Sequence, residues 1–345
     1  MYIIGLMSGT SLDGLDIALV RFDSVRNFEL LAAETVAYPQ EWVERLSTLE
    51  HANAYEYALA NMRLGHYIGQ CVNAFRQKHP AQVDLIASHG HTIFHQPHMG
   101  LTTQIGDGDA IAAETHLPVV SNFRTLDVAL GGQGAPLVPI GDRLLFSQHD
   151  ACLNLGGIAN ISFEHGSQRI AFDICPCNMA LNHLSRQMGH PFDRDGLMAQ
   201  SGRLDESLLQ QMNALDYYRQ PAPKSLGKEW FEAEFRPLLA GDVAVGLRTA
   251  TEHIAQQISA ILRNNSLRTL LATGGGAFNK FLINRMQALA PECKIEVPPA
   301  DIVNYKEAII FALLGYLRVN HEVNTLCSVT GATSNSIGGT LSGIY

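Results

Sequence analysis

The sequence predicts an α/β chain of two domains, and three observations carry that expectation. A short apolar strand (residues 2–6) runs into a turn of small residues, Met7-Ser8-Gly9-Thr10-Ser11. Two more strands (15–22 and 28–36) and then helical patterning follow. Near residue 150 the same order returns, with strand 152–155, the turn Gly156-Gly157, strands 159–163 and 169–172, and a helix over 178–188. Identity between the halves is slight, so the repeat is one of pattern. The third observation is size. A chain of 345 residues, 46% hydrophobic and 17% charged, is long enough for two domains and can bury a large core.

The remaining elements follow in order. Apolar residues recurring at three and four predict helices over 42–49 and 54–76. Residues 83–88 read as a buried strand ending at His89-Gly90. The stretch 135–148 carries the crossing between domains, with no flexible Pro/Ser linker. A helix over 250–263 precedes strand 269–272, the turn Thr273-Gly274-Gly275-Gly276 and a helix over 279–289. Two α/β domains with a cleft between them is the arrangement this order suggests.

Charge and cysteine usage narrow the partners. A formal charge of −9 argues against nucleic acid and anionic membrane, both of which select basic patches. The longest apolar run, 308–317, is broken by Gly315 and is too short to span a bilayer. The N-terminus has no basic lead and no cleavage site, so it reads as a strand. Six dispersed cysteines suit a reduced, cytoplasmic setting, and a homodimer is left open.

The most informative segment runs through Gly9, Thr10, Ser11, Leu12, Asp13, Gly14, Leu15 and Asp16. Its small residues let backbone N–H groups and hydroxyls close around phosphate oxygens. Asp13 and Asp16 would repel phosphate, so they serve a metal or its waters, or face away. An ordinary polar hairpin turn is the competing reading. No Walker A lysine loop and no Rossmann glycine fingerprint is present. Glycine turns at Gly9, at Gly156-Gly157 and at Gly274-Gly275-Gly276 each follow an apolar strand, which suggests phosphates approached from both domains.

Asp173 ends an apolar strand beside a helix start, a position suited to a general base or to a helix cap. Cys175 and Cys177 have no second pair to complete a tetrahedral metal site and read as packing thiols. No metal site held by protein ligands is expected. His89, His91, His95 and His98 alternate at a strand exit and can line a sugar site. Taken singly, Phe123-Arg124-Thr125-Leu126-Asp127 and Lys306-Glu307-Ala308 read as surface charge.

Together these segments resemble the anhydro-N-acetylmuramic acid kinase family, of the acetate kinase/sugar kinase/Hsp70/actin superfamily. The resemblance covers nearly the whole chain. It is most specific in Gly5-Leu6-Met7-Ser8-Gly9-Thr10-Ser11-Leu12-Asp13-Gly14-Leu15-Asp16 and in Gly131-Gly132-Gln133-Gly134-Ala135-Pro136-Leu137-Val138-Pro139. Ser88-His89-Gly90, Gln104-Ile105-Gly106-Asp107-Gly108, Pro223-Lys224-Ser225 and Lys306-Glu307-Ala308 also belong to it. It implies an actin-like/ribonuclease H-like ATPase fold with ATP in the interdomain cleft. The implied domains are 1–138 with about 312–345, and 139–311.

The implied reaction uses ATP, with Mg²⁺ on its phosphates, and water to open 1,6-anhydro-N-acetylmuramic acid and phosphorylate O6. Asp173 would then be the base and Glu307 a second active-site acid, with Thr10, Ser11, His89 and Arg124 on the sugar or the transferring phosphate. A kinase for another sugar, or a non-catalytic nucleotide-binding protein, are the rival readings. After Asp173 the chain departs from the family's usual Asp-Thr-Gly-Pro-Gly-Asn, reading Ile174-Cys175-Pro176-Cys177-Asn178. His91 and Asn182 replace a usual Gln and Asp.

Overall fold

The computed structural model describes residues 1–9 and 12–343, so Thr10 and Ser11 lie outside the described residues. Along the chain the strands are β1 (Tyr2–Ser8), β2 (Leu15–Ser24), β3 (Asn27–Val36), β4 (Leu85–Gln96), β5 (Leu101–Ile105) and β6 (Val119–Ser121). They continue with β7 (Ala151–Leu155), β8 (Ile158–His165), β9 (Gln168–Pro176), β10 (Thr269–Thr273), β11 (Lys294–Glu296) and β12 (Thr340–Ser342). The helices begin with α1 (Gln40–Thr48), α2 (Ala54–Lys78), α3 (Gly108–Thr115), α4 (Thr125–Ala129) and α5 (Val138–Leu145). Next come α6 (Asn178–Gln187), α7 (Leu197–Ser201), α8 (Glu206–Asn213), α9 (Lys228–Trp230) and α10 (Val243–Asn264). The last are α11 (Lys280–Leu289), α12 (Ala300–Val319) and α13 (Cys327–Thr330).

Two compact units result, Met1–Leu145 with Tyr305–Tyr345, and Phe146–Asn304. Each is an α/β unit built on one mixed sheet. The first sheet has the order β12-β6-β4-β1-β2-β3, with β5 beside β4. The second has the order β11-β10-β7-β8-β9. In both, three antiparallel strands are joined to a fourth that runs parallel to the first of the three, β4 along β1 and β10 along β7. The repeat of pattern legible in the sequence is therefore a repeat of topology.

Burial explains the strand patterns. β1 and the first eight residues of β2 are mostly buried on both faces, while β3, at the sheet edge, alternates exposed and half-buried residues. One core gathers Ile4, Leu6, Ile17, Leu64, Ile68 and Phe75. The other gathers Leu153, Ile161, Leu184, Ile254, Ile258 and Met286. Short polar side chains start the helices. Asn53, Asp107, Asp242 and Asn279 each accept the N–H three residues on, at 2.9–3.0 Å.

Three expected boundaries need correction. β4 does not end at His89-Gly90. Its register on β1 shifts between Leu6 and Ser8, and beyond Gly90 it continues to Gln96 because β5 supplies a second partner. β9 does not end at Phe172 either, since β8 pairs with it as far as Pro176 and holds Asp173 in the ladder opposite Asn160. α10 begins at Val243, seven residues before 250, because Asp242 caps it there.

Candidate active site

β7 and β10 run parallel with Asn154 opposite Thr273, so the turns that follow them lie side by side. Gly274 sits at φ +79°, where a Cβ would collide with the Asn154 side chain, and a Cβ on Gly276 would come within 2.8 Å of Leu155. Asn178 ties the turns to α6. Its side chain donates to the Leu155 carbonyl at 2.9 Å and its N–H to the Gly156 carbonyl at 3.1 Å. Gly157 and Gly275 are exposed, and a Cβ on either meets nothing closer than 3.8 Å. Two of the three predicted turns thus form one ledge with a packed underside and an open outer face.

In the same unit Asp173 is half-buried and held from one segment. Its N–H donates to the Lys224 carbonyl at 3.1 Å, and its carbonyl accepts the Tyr217 hydroxyl at 2.7 Å. Oδ2 accepts the Leu226 N–H at 2.8 Å. Burial raises its pKa above the ordinary 3.8, and the Leu226 N–H opposes this in part. Asp173 does not cap α6. The N-cap position belongs to Cys177, with no side-chain cap bond. Cys175 and Cys177 are wholly buried in the core, and burial pushes the Cys177 thiol up to about 12.

In the other unit β1 ends at Ser8 beside β4, opposite His91, with Gly9 next in the chain. Ser8 Oγ lies 2.8 Å from His91 Nδ1 and accepts the Tyr38 hydroxyl at 2.7 Å. Burial lowers the His91 pKa to about 4, so the ring is neutral at pH 7. Gly14 is buried against β3 and Leu15 lies in the core, whereas Asp13 is exposed. Asp16, half-buried, accepts Thr35 Oγ1 at 2.6 Å. Its carboxyl is raised by burial, opposed by that bond, with Asp13 adding to the rise.

Arg124 is partly buried, contrary to the surface reading. It donates from Nε to His89 Nε2 at 3.0 Å and from a terminal nitrogen to the Gly134 carbonyl at 2.6 Å. Burial lowers it to about 10, against the pull of Glu307 and Asp127, so it stays charged at pH 7. Asp127 is fully buried and accepts the Gly134 N–H and the Thr330 hydroxyl, each at 2.7 Å. Lys306 is also buried, ion-paired to Asp142 at 2.7 Å. Glu307 alone of that motif's charges reaches solvent, yet loss of hydration raises its carboxyl. Arg124 and then Lys306 oppose the rise, and Asp16 adds to it.

His89, buried and held neutral, borders a polar hollow of about 130 Å³ with Asn61, Gln104, Asp107, Ser121 and Asn122. His91 turns instead to Ser8, and His95 and His98 are exposed. The structure therefore groups Gly156, Gly157, Gly274, Gly275 and Gly276 in one unit, which also holds Asp173. It brings His89 to Arg124, with Glu307 and Asp16 within electrostatic reach, in the other. Sequence reasoning missed the Tyr217–Leu226 grip on Asp173 and the Tyr38–Ser8–His91 chain. The Pro223-Lys224-Ser225 motif was the available signal for the first.

A family model described as anhydro-N-acetylmuramic acid kinase matches residues 1–343. The curated protein of that name from Shewanella frigidimarina (strain NCIMB 400) is 38% identical, covering 97% of this chain and 96% of that protein. Its namesake from Pasteurella multocida (strain Pm70) is 37% identical, covering 97% and 94%. The one from Shewanella sediminis (strain HAW-EB3) is 38% identical, covering 99% and 98%.

Proposed function

Because the chain belongs to the anhydro-N-acetylmuramic acid kinase family, we propose that it uses ATP and water to convert 1,6-anhydro-N-acetylmuramic acid into N-acetylmuramic acid 6-phosphate and ADP. This is a step in peptidoglycan turnover and amino-sugar breakdown. The observation that carries the reading is the full-length family match together with a base candidate, Asp173, whose carboxyl is raised by burial and gripped in one orientation.

Asp173 takes a proton from the water that attacks C1. The new C1–O bond displaces O6, opening the 1,6-anhydro ring. O6 then attacks the γ-phosphorus, and the bond to the β-phosphate oxygen breaks to leave ADP. Arg124, charged and oriented through His89, suits the anionic lactyl carboxylate or the transferring phosphoryl group. Glu307 is the second acid, and Thr10 and Ser11 stay in the reading as sugar or phosphate contacts.

In this reading Mg²⁺ comes with the nucleotide and is not held by a protein ligand set. Among the described residues no group of three His, Cys, Asp or Glu side chains could hold an ion. Asp16, whose carboxyl is raised chiefly by burial with Asp13 adding to the rise, is the carboxylate that a hydrated Mg²⁺ brought in by the nucleotide would favour in its charged form. Bound there, Mg²⁺ would offset charge on the phosphates. In the other unit, the outer faces of Gly157 and Gly275 are open to a nucleotide's phosphates.

Among the described residues no helix is long and apolar enough to cross a membrane. The reading places the reaction in the cytoplasm, where ATP is at hand and free thiols such as Cys175 and Cys177 persist. Its partners are the sugar and the nucleotide. A net charge of −9 gives nucleic acid no purchase.

ADP release measured with 1,6-anhydro-N-acetylmuramic acid, N-acetylmuramic acid and other sugars tests the substrate. Release with another sugar alone would replace it. Asp173→Asn tests the base. Turnover should fall on the order of a hundredfold to ten-thousandfold while both ligands still bind. A folded mutant with near wild-type release would end that assignment and move suspicion to Glu307.

A further inference from the structure

The segment that grips Asp173 is itself anchored from behind. His253, on α10, is wholly buried. Its Nδ1 lies 2.7 Å from Asn213 Oδ1 and its Nε2 lies 2.8 Å from the Tyr218 hydroxyl. Burial lowers its pKa to about 3, so at pH 7 the ring has one donor and one acceptor. Asn213 Oδ1 already accepts from Gln257 Nε2 at 2.8 Å, and its Nδ2 donates to Gln256 Oε1 at 2.9 Å. An oxygen that only accepts must take the proton of Nδ1. Nε2 is then the acceptor, and the Tyr218 hydroxyl donates to it.

Tyr218 shares one short stretch with the groups that touch Asp173. Its ring packs edge-on to Tyr217 at 5.7 Å, and Trp230 packs against both. Tyr217 donates to the Asp173 carbonyl, Lys224 accepts its N–H, and Leu226 donates to its carboxylate. Lys224 is fixed in turn, its ammonium 4.5 Å from the Tyr217 ring centroid and donating to the Tyr217 carbonyl at 3.1 Å. Residues 220–223, between these anchors, are exposed. The segment therefore holds its place by its two ends, and one end is the Tyr218–His253 bond.

We propose that His253 and Tyr218 are positioning residues for the reaction: through this buried bond they hold the 217–226 segment so that the Leu226 N–H stays on Asp173 Oδ2. The proposal rests on the reading of Asp173 as the base. Two consequences follow. The carboxylate keeps one oxygen engaged and one oxygen available to water, and the engaged N–H favours its charged form. The other ionisable groups around Asp173 do not blur this signal. Tyr217 and Cys175 are raised above their ordinary 10.0 and 9.0, and Lys224, lowered from 10.5, carries its positive charge at low pH.

The test uses Tyr218→Phe, His253→Gln and His253→Phe in the full chain, with kcat, both KM values, the pH dependence of kcat/KM, and Tm. Tyr218→Phe keeps the ring packing and removes one hydroxyl. Its kcat should fall about tenfold, the equivalent of one lost hydrogen bond, with KM for ATP unchanged. The acid limb of kcat/KM should move to higher pH, since Asp173 loses the N–H that favours its charge. His253→Gln, which can still donate and accept, should recover most of the turnover, and His253→Phe should not. If His253→Phe fails to fold, Tyr218→Phe decides. A folded Tyr218→Phe with the wild-type acid limb, whatever its Tm, overturns the proposal. Asp173→Asn is measured alongside. If it is inactive while Tyr218→Phe is normal, this inference alone fails. If it is active, the base reading fails too.

Discussion

Glu307 and Asp173 are both carboxyls raised above their ordinary values, and the sign of that shift has two readouts. A raised folded-state pKa means the folded protein prefers the protonated form. The cost of the charge is absent below the unfolded pKa and appears as pH rises past it. Glu307→Gln removes that charge. Its Tm should exceed wild type at pH 7, and the gain should shrink as pH falls below the ordinary 4.5, where the wild-type carboxyl becomes protonated in both states. A Tm below wild type at pH 7 would mean that Arg124 and Lys306 more than repay the desolvation. The same shift sets activity, because a base must be ionised to accept a proton. The acid limb of kcat/KM should therefore stand above the 3.8 of an ordinary aspartate. Little of this was legible in the sequence. Arg124, Asp127 and Lys306 read as surface charge because nothing local reveals a partner such as Thr330, which lies 203 residues from Asp127.

At the scale of elements, the strands and helices were largely legible because their signals are local. Apolar runs and helical spacing place both sheets' central strands and the helices α1, α2, α6 and α11. What failed were the ends decided by a distant partner, β4 beyond Gly90 and β9 beyond Phe172, since a ladder can hold polar residues once a neighbour pairs with them. The glycine ledge allows a sharp test of turn against ligand. Gly274→Ala forces a side chain into the left-handed region and into Asn154, and should cost about 1–3 kcal/mol of stability. Gly275→Ala has open space above it and should leave Tm nearly unchanged. If phosphates rest on that face, Gly275→Ala should still raise KM for ATP. Equal Tm losses with no change in KM would mark the ledge as packing alone.

At the scale of the whole molecule, the repeated strand order made two α/β units legible, because the same run of three antiparallel strands opens each sheet. Chemistry between groups on separate units is a different matter, since no local pattern encodes it. The proposed reaction divides its parts. Asp173 and the Gly156–Gly157 and Gly274–Gly276 turns belong to Phe146–Asn304, while Arg124, Glu307 and the Gly9 turn belong to the other unit. Reacting atoms must come within about 3–3.5 Å for transfer. Bulk water must also be kept from the γ-phosphate, or ATP is hydrolysed without sugar phosphorylation. Sugar and nucleotide bound together should therefore draw the two units onto one substrate, as lids and domains do in other transfer enzymes. Small-angle scattering with the anhydro-sugar plus a non-hydrolysable ATP analogue should show a smaller radius of gyration than either ligand alone. Binding should be cooperative as well, each ligand tightening the other by the same factor. A profile that both ligands together leave unchanged, with independent binding constants, would mean that one unit carries the whole reaction.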